Sequence, residues 1–354
     1  MKVLTIALAA GVSLSGMAQA DTQPAAAKPK ADPLYLPYEA PGIFAKIPSG
    51  ETIHIKCMGS GSPTVILTAG AGDWSAAWRK VQPQIAKTTR VCAWDRPGFG
   101  FSSGTTQPQT TSNITSDLEA ALKAAHIRGP YIAVGHSLGG YESVMFKDRN
   151  SQAVVGMVLV DPSIPDQKNR VRQAAPALAQ SMDANTGNNL AVYRRCIAGL
   201  KSGALKIGSK DPDGCLGYPP DYPPELTLAL DQRDLNPLRF ATAGSMFQNF
   251  DGDGPSMVDP RRNYGNMPLI VLTATKDPAA WPPGFTQAAK DELPALHAVW
   301  ARGHDEYAAL SSRGVNRRVP DTTHYIQYDQ PQVVIDAVDE VVAAARHDAG
   351  ERNN

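Results

Sequence analysis

Ser137 has a glycine two residues to either side, in Gly135-His136-Ser137-Leu138-Gly139, and its neighbours suit it to act as a nucleophile. The apolar run Tyr131–Val134 ahead of it reads as a buried strand, and Tyr141–Arg149 after it is compatible with a helix. A strand, a tight turn and a helix together set a serine at a helix N-terminus, where free N–H groups and the helix dipole favour negative charge. In so tight a turn, side chains at positions 135 and 139 would collide with neighbouring backbone. Such a serine needs a base, an acid to orient that base, and donors for an oxyanion.

Each has a candidate. Of the seven histidines, His324 lies in Val319-Pro-Asp-Thr-Thr-His-Tyr-Ile326, a loop between a predicted strand and the last helix, and is the expected base. His304 falls inside a helical stretch. His54 and His126 lie in elements far from a strand's C-terminal edge, and the His136 ring should turn away from the serine beside it. Two aspartates each end a buried strand and precede a proline: Asp277 after Leu269–Thr275, and Asp161 after Val154–Val160. Ligand chemistry gathers beyond the C-terminal ends of strands in open parallel sheets. Asp277 is the expected acid and Asp161 the alternative, since an Asp-Pro pair can equally start a turn. The oxyanion donors are expected to be the N–H of Leu138, after the nucleophile, and that of Ala71 in the glycine-rich loop Thr68-Ala-Gly-Ala-Gly-Asp-Trp74.

The elements that must hold these groups alternate. Ile43–Ile47 and Thr52–Cys57, joined at Ser49-Gly50, read as a hairpin. Thr64–Thr68, Arg90–Trp94, the Tyr131 run and Val154–Val160 read as buried strands. Between them, Trp74–Lys87 reads helical with Pro83 as a possible break, and Ser112–Ala125 carries Ile114, Leu118, Leu122 and Ala125 on one face. Residues 162–266 lose this rhythm and scatter Pro, Gly and aromatic residues. It resumes with Leu269–Thr275, a helical Phe285–Ser312, Val315–Val319 and a helix at Val333–Ala345. The pattern predicts one α/β core, residues 42–161 and 267–346, interrupted by an insertion at 162–266. Residues 21–41 read as a flexible lead-in and 347–354 as a frayed tail.

Composition narrows the compartment and the partners. The chain has 354 residues with zero formal net charge, which points away from nucleic acid and anionic membrane surfaces. Lys2, the apolar run Val3–Gly16 and Met17-Ala-Gln-Ala20 form an export signal over residues 1–20, too short to span a bilayer. The mature protein is expected to be exported, periplasmic or secreted, without a membrane anchor. Cys57, Cys92, Cys196 and Cys215 are compatible with two disulfides in any of three pairings. Their spacing matches no zinc pattern, so no metal is expected, and nucleophilic attack by a serine needs no cofactor.

Five segments together resemble the α/β-hydrolase superfamily: Leu67-Thr-Ala-Gly-Ala-Gly72, Ala93-Trp-Asp-Arg-Pro-Gly-Phe-Gly-Phe-Ser-Ser103, Gly135-His-Ser-Leu-Gly-Gly140, Thr275-Lys-Asp-Pro278 and Asp321-Thr-Thr-His324. The resemblance covers roughly residues 42–346 apart from the insertion. It implies a mostly parallel sheet flanked by helices, with 162–266 as a cap, and Asp95-Arg-Pro-Gly98 supporting the site from below. It also implies that the second strand lies beside the fourth, so that Cys57 could bridge Cys92 while Cys196 and Cys215 staple the insertion; free thiols at the first pair are the alternative. The family's usual His-Gly before the oxyanion loop is Ala69-Gly70 here. The implied activity is hydrolysis of a carboxylic ester on a small acyl substrate through Ser137, Asp277 and His324. Cleavage of another acyl bond (lactone, amide or carbon–carbon) and a non-catalytic binding protein on the same fold are the alternatives. The sequence leaves the oligomeric state open.

Overall fold

The computed structural model describes residues 31–277 and 281–352. The export signal expected at 1–20, residues 21–30 of the expected lead-in, Pro278 and the last two residues lie outside them. Among the described residues, eight strands form one sheet: β1 (Ile43–Lys46), β2 (Thr52–Met58), β3 (Thr64–Thr68), β4 (Val91–Trp94), β5 (Tyr131–His136), β6 (Val154–Val160), β7 (Leu269–Ala274) and β8 (Gly314–Val319). Their order is β1-β2-β4-β3-β5-β6-β7-β8. The β1–β2 hairpin joins β4 antiparallel, and every other pairing is parallel.

Strand alternation divides the core between the two faces of the sheet. On β6, Met157 and Leu159 pack into one cluster with Ile114, Leu118 and Tyr141 from the helices Thr111–Ala124 and Leu138–Arg149. Val158 and Val160 point the other way, toward Trp78 and toward Val334, Val338 and Val341 of the Pro331–Arg352 helix. Helices on both faces explain why the central strands read as unbroken apolar runs. Cys57 and Cys92 stand in register across β2 and β4 and are bonded; Cys196 and Cys215 form the second disulfide.

Four helices fill the insertion between β6 and β7: Gln167–Ala174, Pro176–Ser202, Pro224–Asp234 and Pro237–Ser256. Three of them start on a proline, whose missing N–H costs nothing in the first turn of a helix. Pro176, Pro224 and Pro237, three of the prolines that obscure the sequence rhythm, are thus helix starts. The Cys196–Cys215 bond ties the longest of these helices to the loop that follows it.

Three local expectations are corrected. Trp74–Lys87 is not one helix but a 3-10 turn, Ser75–Trp78, and a short helix, Gln82–Ile85, with Pro83 in its first turn. The lead-in is ordered from Pro33 to Glu39, because Tyr35 and Tyr38 are buried against the core. The C-terminal helix continues past residue 347 to Arg352. Among the described residues, no helix is long and apolar enough to cross a membrane.

Candidate active site

Ser137 ends the turn between β5 and the Leu138–Arg149 helix with φ 53° and ψ −122°. A positive φ is a strained conformation for a side-chain-bearing residue. The turn is held from three sides: the Ser137 N–H donates to the Val160 carbonyl (3.2 Å), and its own carbonyl accepts from Gly140 and Ser163 (2.9 Å each). A Cβ at Gly135 would overlap the Gly139 carbonyl, and one at Gly139 would overlap that of Thr68, so both positions demand glycine. Leu138 opens the helix, and its N–H therefore has no acceptor within it.

His324 lies in the loop after β8. Its Nδ1 is 2.6 Å from Asp161 Oδ2, while the N–H of Ala274 donates to Asp161 Oδ1 at 3.0 Å. The carboxylate is thus fixed through both oxygens. Burial acts to raise the Asp161 pKa. The hydrogen bond and charge of His324, the His304 ring and the Ala274 N–H outweigh it and hold the group below the usual carboxylate range. The neighbouring loop residues are braced as well: Thr323 donates to Asp329 through both N–H and Oγ1 (2.7 Å each), and Thr322 Oγ1 donates to the Val319 carbonyl (2.9 Å).

Asp277, the expected acid, is elsewhere. Its side chain is 70% exposed, and the exposed ring of His297 lies 3.7 Å away. The reason is distance from the sheet. Asp161 follows the last residue of β6 directly and turns with φ 42°, whereas β7 ends at Ala274 and two residues, Thr275 and Lys276, intervene before Asp277. The alternative, Asp161, is the carboxylate that meets the histidine. His304 is buried, with Nε2 donating to the Pro162 carbonyl and Nδ1 against Thr273 Oγ1 (2.8 Å each). It thus braces the turn after Asp161.

The loop bearing Ala71 is held from beneath. Arg96, from the Asp95-Arg-Pro-Gly98 motif, donates to the carbonyls of Ala69 and Gly70 and pairs with Glu142 at 2.7 Å, both side chains being buried. Its neighbour Asp95 accepts from Ser75 N–H, Phe101 N–H and the His54 ring. Glu142 stands five residues after Ser137, and no spacing rule points to it. His136 also works unseen from the sequence. Its ring lies beside that of His324, with centroids 4.6 Å apart, and Nε2 donates to the carbonyl of His324 (2.9 Å). Its other edge faces Gly70, where a Cβ would lie 2.7 Å from Nδ1. One ring therefore spaces the oxyanion loop from the histidine loop. Burial first, then the charge of His324, push the His136 pKa down to about 3, so the ring stays neutral.

Ser137, His324, Asp161 and Ala71 all line one cavity of about 260 Å³. Leu178, Met182, Asn185, Phe247 and Phe250 of the insertion cover it, and Trp300 and Phe285 close one side. The expected nucleophile, base, one oxyanion donor and the alternative acid are thus brought together. Chemically, a serine at a helix N-terminus beside a carboxylate-held imidazole, under an apolar roof, is equipped for nucleophilic attack on a carbonyl.

The model of the alpha/beta hydrolase family matches residues 65–337. The uncharacterized protein YqjL of Bacillus subtilis is 33% identical over 108 residues, which span 30% of this chain and 43% of that protein. The 2-hydroxy-6-oxononadienedioate/2-hydroxy-6-oxononatrienedioate hydrolase of Cupriavidus pinatubonensis is 31% identical over 125 residues, 33% of this chain and 43% of that enzyme. The chain thus covers less than half the length of either relative. A solved thermophilic esterase from Thermogutta terrifontis is similar with a TM-score of 0.52 at 18% identity, over 86% of this chain and 99% of the esterase, which speaks for the fold.

Proposed function

This chain belongs to the alpha/beta hydrolase family, and within it we propose that the protein is a serine hydrolase cleaving a carboxylic ester through an acyl-enzyme intermediate. The observation that carries the reading is the meeting of Ser137, His324 and Asp161 at one cavity, with His324 Nδ1 2.6 Å from the buried carboxylate. His324 Nε2 takes the Ser137 proton as Oγ attacks the ester carbonyl. Asp161 fixes the tautomer and stabilises the imidazolium that forms. The N–H groups of Leu138 and Ala71 hold the oxyanion, and each is expected to contribute about 10²–10³ to turnover. The tetrahedral adduct collapses, and His324 returns the proton to the departing alcohol. A water deprotonated by His324 then attacks the acyl-serine and releases the acid.

The cavity volume suits a small or medium-sized acyl group. The similarity to the Cupriavidus hydrolase, named for substrates that are not esters, favours a second reading in which the same three residues cleave another acyl bond. The binding-protein alternative has little support, since no part of the triad is missing. We place the protein outside the cytoplasm, on the signal pattern of residues 1–20 and the two disulfides.

The test is hydrolysis of activated nitrophenyl esters, lactones and amides by the mature protein and by Ser137→Ala. Turnover of the ester by wild type, falling by about 10⁴-fold or more in the variant, is expected. Equal rates in the two would refute the mechanism, and a lactone or amide preference would favour the second reading.

A further inference from the structure

The helix Pro176–Ser202 presents Leu178, Met182 and Asn185 to the catalytic cavity. Their spacing of four and three residues places them on one face of the helix. The stripe is apolar except for its last member. Asn185 is only 6% exposed, and its Nδ2 is buried with no hydrogen-bond acceptor. Phe247 and Phe250, across from it on the Pro237–Ser256 helix, offer no acceptor either. A buried amide left without a partner is costly, and natural interiors avoid it unless something else completes it. Here the unmet donor belongs to a residue lining the cavity that also holds Ser137 and His324.

We propose that Asn185 is a specificity-determining residue whose amide donates to an oxygen acceptor carried within the acyl group of the substrate. This rests on the acyl-transfer reading of the site. The substrate class is then an acyl chain with an apolar body, fitting Leu178, Met182, Phe247 and Phe250, and a ketone, ether or similar oxygen along its length. A plain hydrocarbon acyl group leaves the amide unpaired and is the poorer substrate. A site built to hydrogen-bond a group discriminates against the analogue lacking it far more strongly than an apolar pocket discriminates one methylene.

The experiment compares the nitrophenyl ester of octanoic acid with a series of oxo-octanoyl esters in which the ketone is walked along the chain. One position of the ketone should raise kcat/KM of the wild type over octanoyl by about 10–100-fold. In Asn185→Leu, of the same branched skeleton but without the donor, that ratio should collapse toward one. The wild-type series alone tests the idea should the variant fold poorly. If ester hydrolysis is present but no ketone position is preferred, or if the preference survives in Asn185→Leu, the assignment is overturned while the ester reading stands. If the wild type hydrolyses no ester, the acyl-transfer reading falls, and calorimetry on Ser137→Ala decides the subsite separately. Tighter binding of an oxo-octanoate than of octanoate, lost on adding Asn185→Leu, supports it, and equal binding overturns it.

Discussion

The floor and the roof of the cavity are built from different materials. The floor is held by charge and directed hydrogen bonds: Asp161 grips His324 and the Ala274 N–H, and Arg96 ties Glu142 to two carbonyls of the Ala71 loop. The roof is helical and mainly apolar, with Leu178, Met182, Phe247 and Phe250 over the site and a disulfide securing its longest helix. Directed bonds fix atoms to within fractions of an ångström, as a reacting serine and imidazole require. Apolar contacts are not directional and accept a range of shapes. The floor therefore governs rate and the roof governs choice of substrate, and substitutions in the two should separate along kcat and KM.

The largest effect is expected at Asp161. Asp161→Asn keeps the shape but favours the wrong tautomer of His324, and kcat for an activated ester should fall about 10⁴-fold. Asp277→Asn removes an exposed carboxylate and should leave kcat within about twofold of wild type. Steady-state kinetics of the two variants side by side decide the matter. A collapse at Asp277 with little change at Asp161 would mean that the histidine uses a different partner in solution.

That pair of aspartates also marks how far the sequence could be read. The mostly parallel sheet with its second strand beside the fourth, the serine turn, the histidine loop and the bridge offered for Cys57 and Cys92 were legible through motifs local in the chain or through a family's shared topology. The acid was not, because both candidates sit in an Asp-Pro pair after a buried strand. What separates them is the distance each lies beyond its strand's last ladder residue and the backbone turn at Asp161, and neither is a composition signal. Glu142 and Asn185 stayed hidden for a similar reason. Each looks like one more polar residue on a helix until tertiary packing buries it beside Arg96 or over the cavity. The insertion's prolines broke the rhythm that sequence reading depends on, although three of them, Pro176, Pro224 and Pro237, mark helix starts.

The next effect belongs to the ion pair beneath the oxyanion loop. Glu142→Gln leaves the Arg96 charge buried and uncompensated, and unfolding by urea should show a loss of about 3–5 kcal/mol. The loop carrying Ala71 hangs from the same guanidinium, so kcat should fall with little change in KM. A variant as stable as wild type with unaltered kcat would remove Arg96 from the account of how the floor is held.

The roof should answer differently. Cys196→Ala with Cys215→Ala removes a bridge between residues 19 apart, which should cost about 2–4 kcal/mol. Because Asn185 and Met182 ride on the same helix as Cys196, KM for acyl esters should rise while kcat changes less. Cys57→Ala with Cys92→Ala, at the far side of the sheet, should lower stability without a KM effect. Matching kinetic changes in both double variants would break the division between floor and roof.

The smallest expected effect tests the brace between the two loops through its pH dependence. His136 is held neutral, with its pKa depressed to about 3 from an ordinary value near 6.5. As pH falls below 6.5 the unfolded chain takes up a proton at this position and the folded protein does not. Stability from this residue is therefore complete above pH 6.5 and is lost as pH falls toward about 3, with a slope of at most about 1.4 kcal/mol per pH unit. His136→Gln keeps an N–H donor for the His324 carbonyl but cannot titrate. Between pH 6.5 and about 5, where ordinary carboxylates remain ionised in the unfolded chain, the variant's stability should decline less steeply than that of wild type. Chemical denaturation at several pH values across that interval measures the difference. Equal slopes would mean that the ring gains a proton in the folded state, and with it an acceptor for Nδ1 absent from the present packing. The two loops would then be held by a charged brace, which would join His136 to the electrostatic floor rather than to its neutral packing.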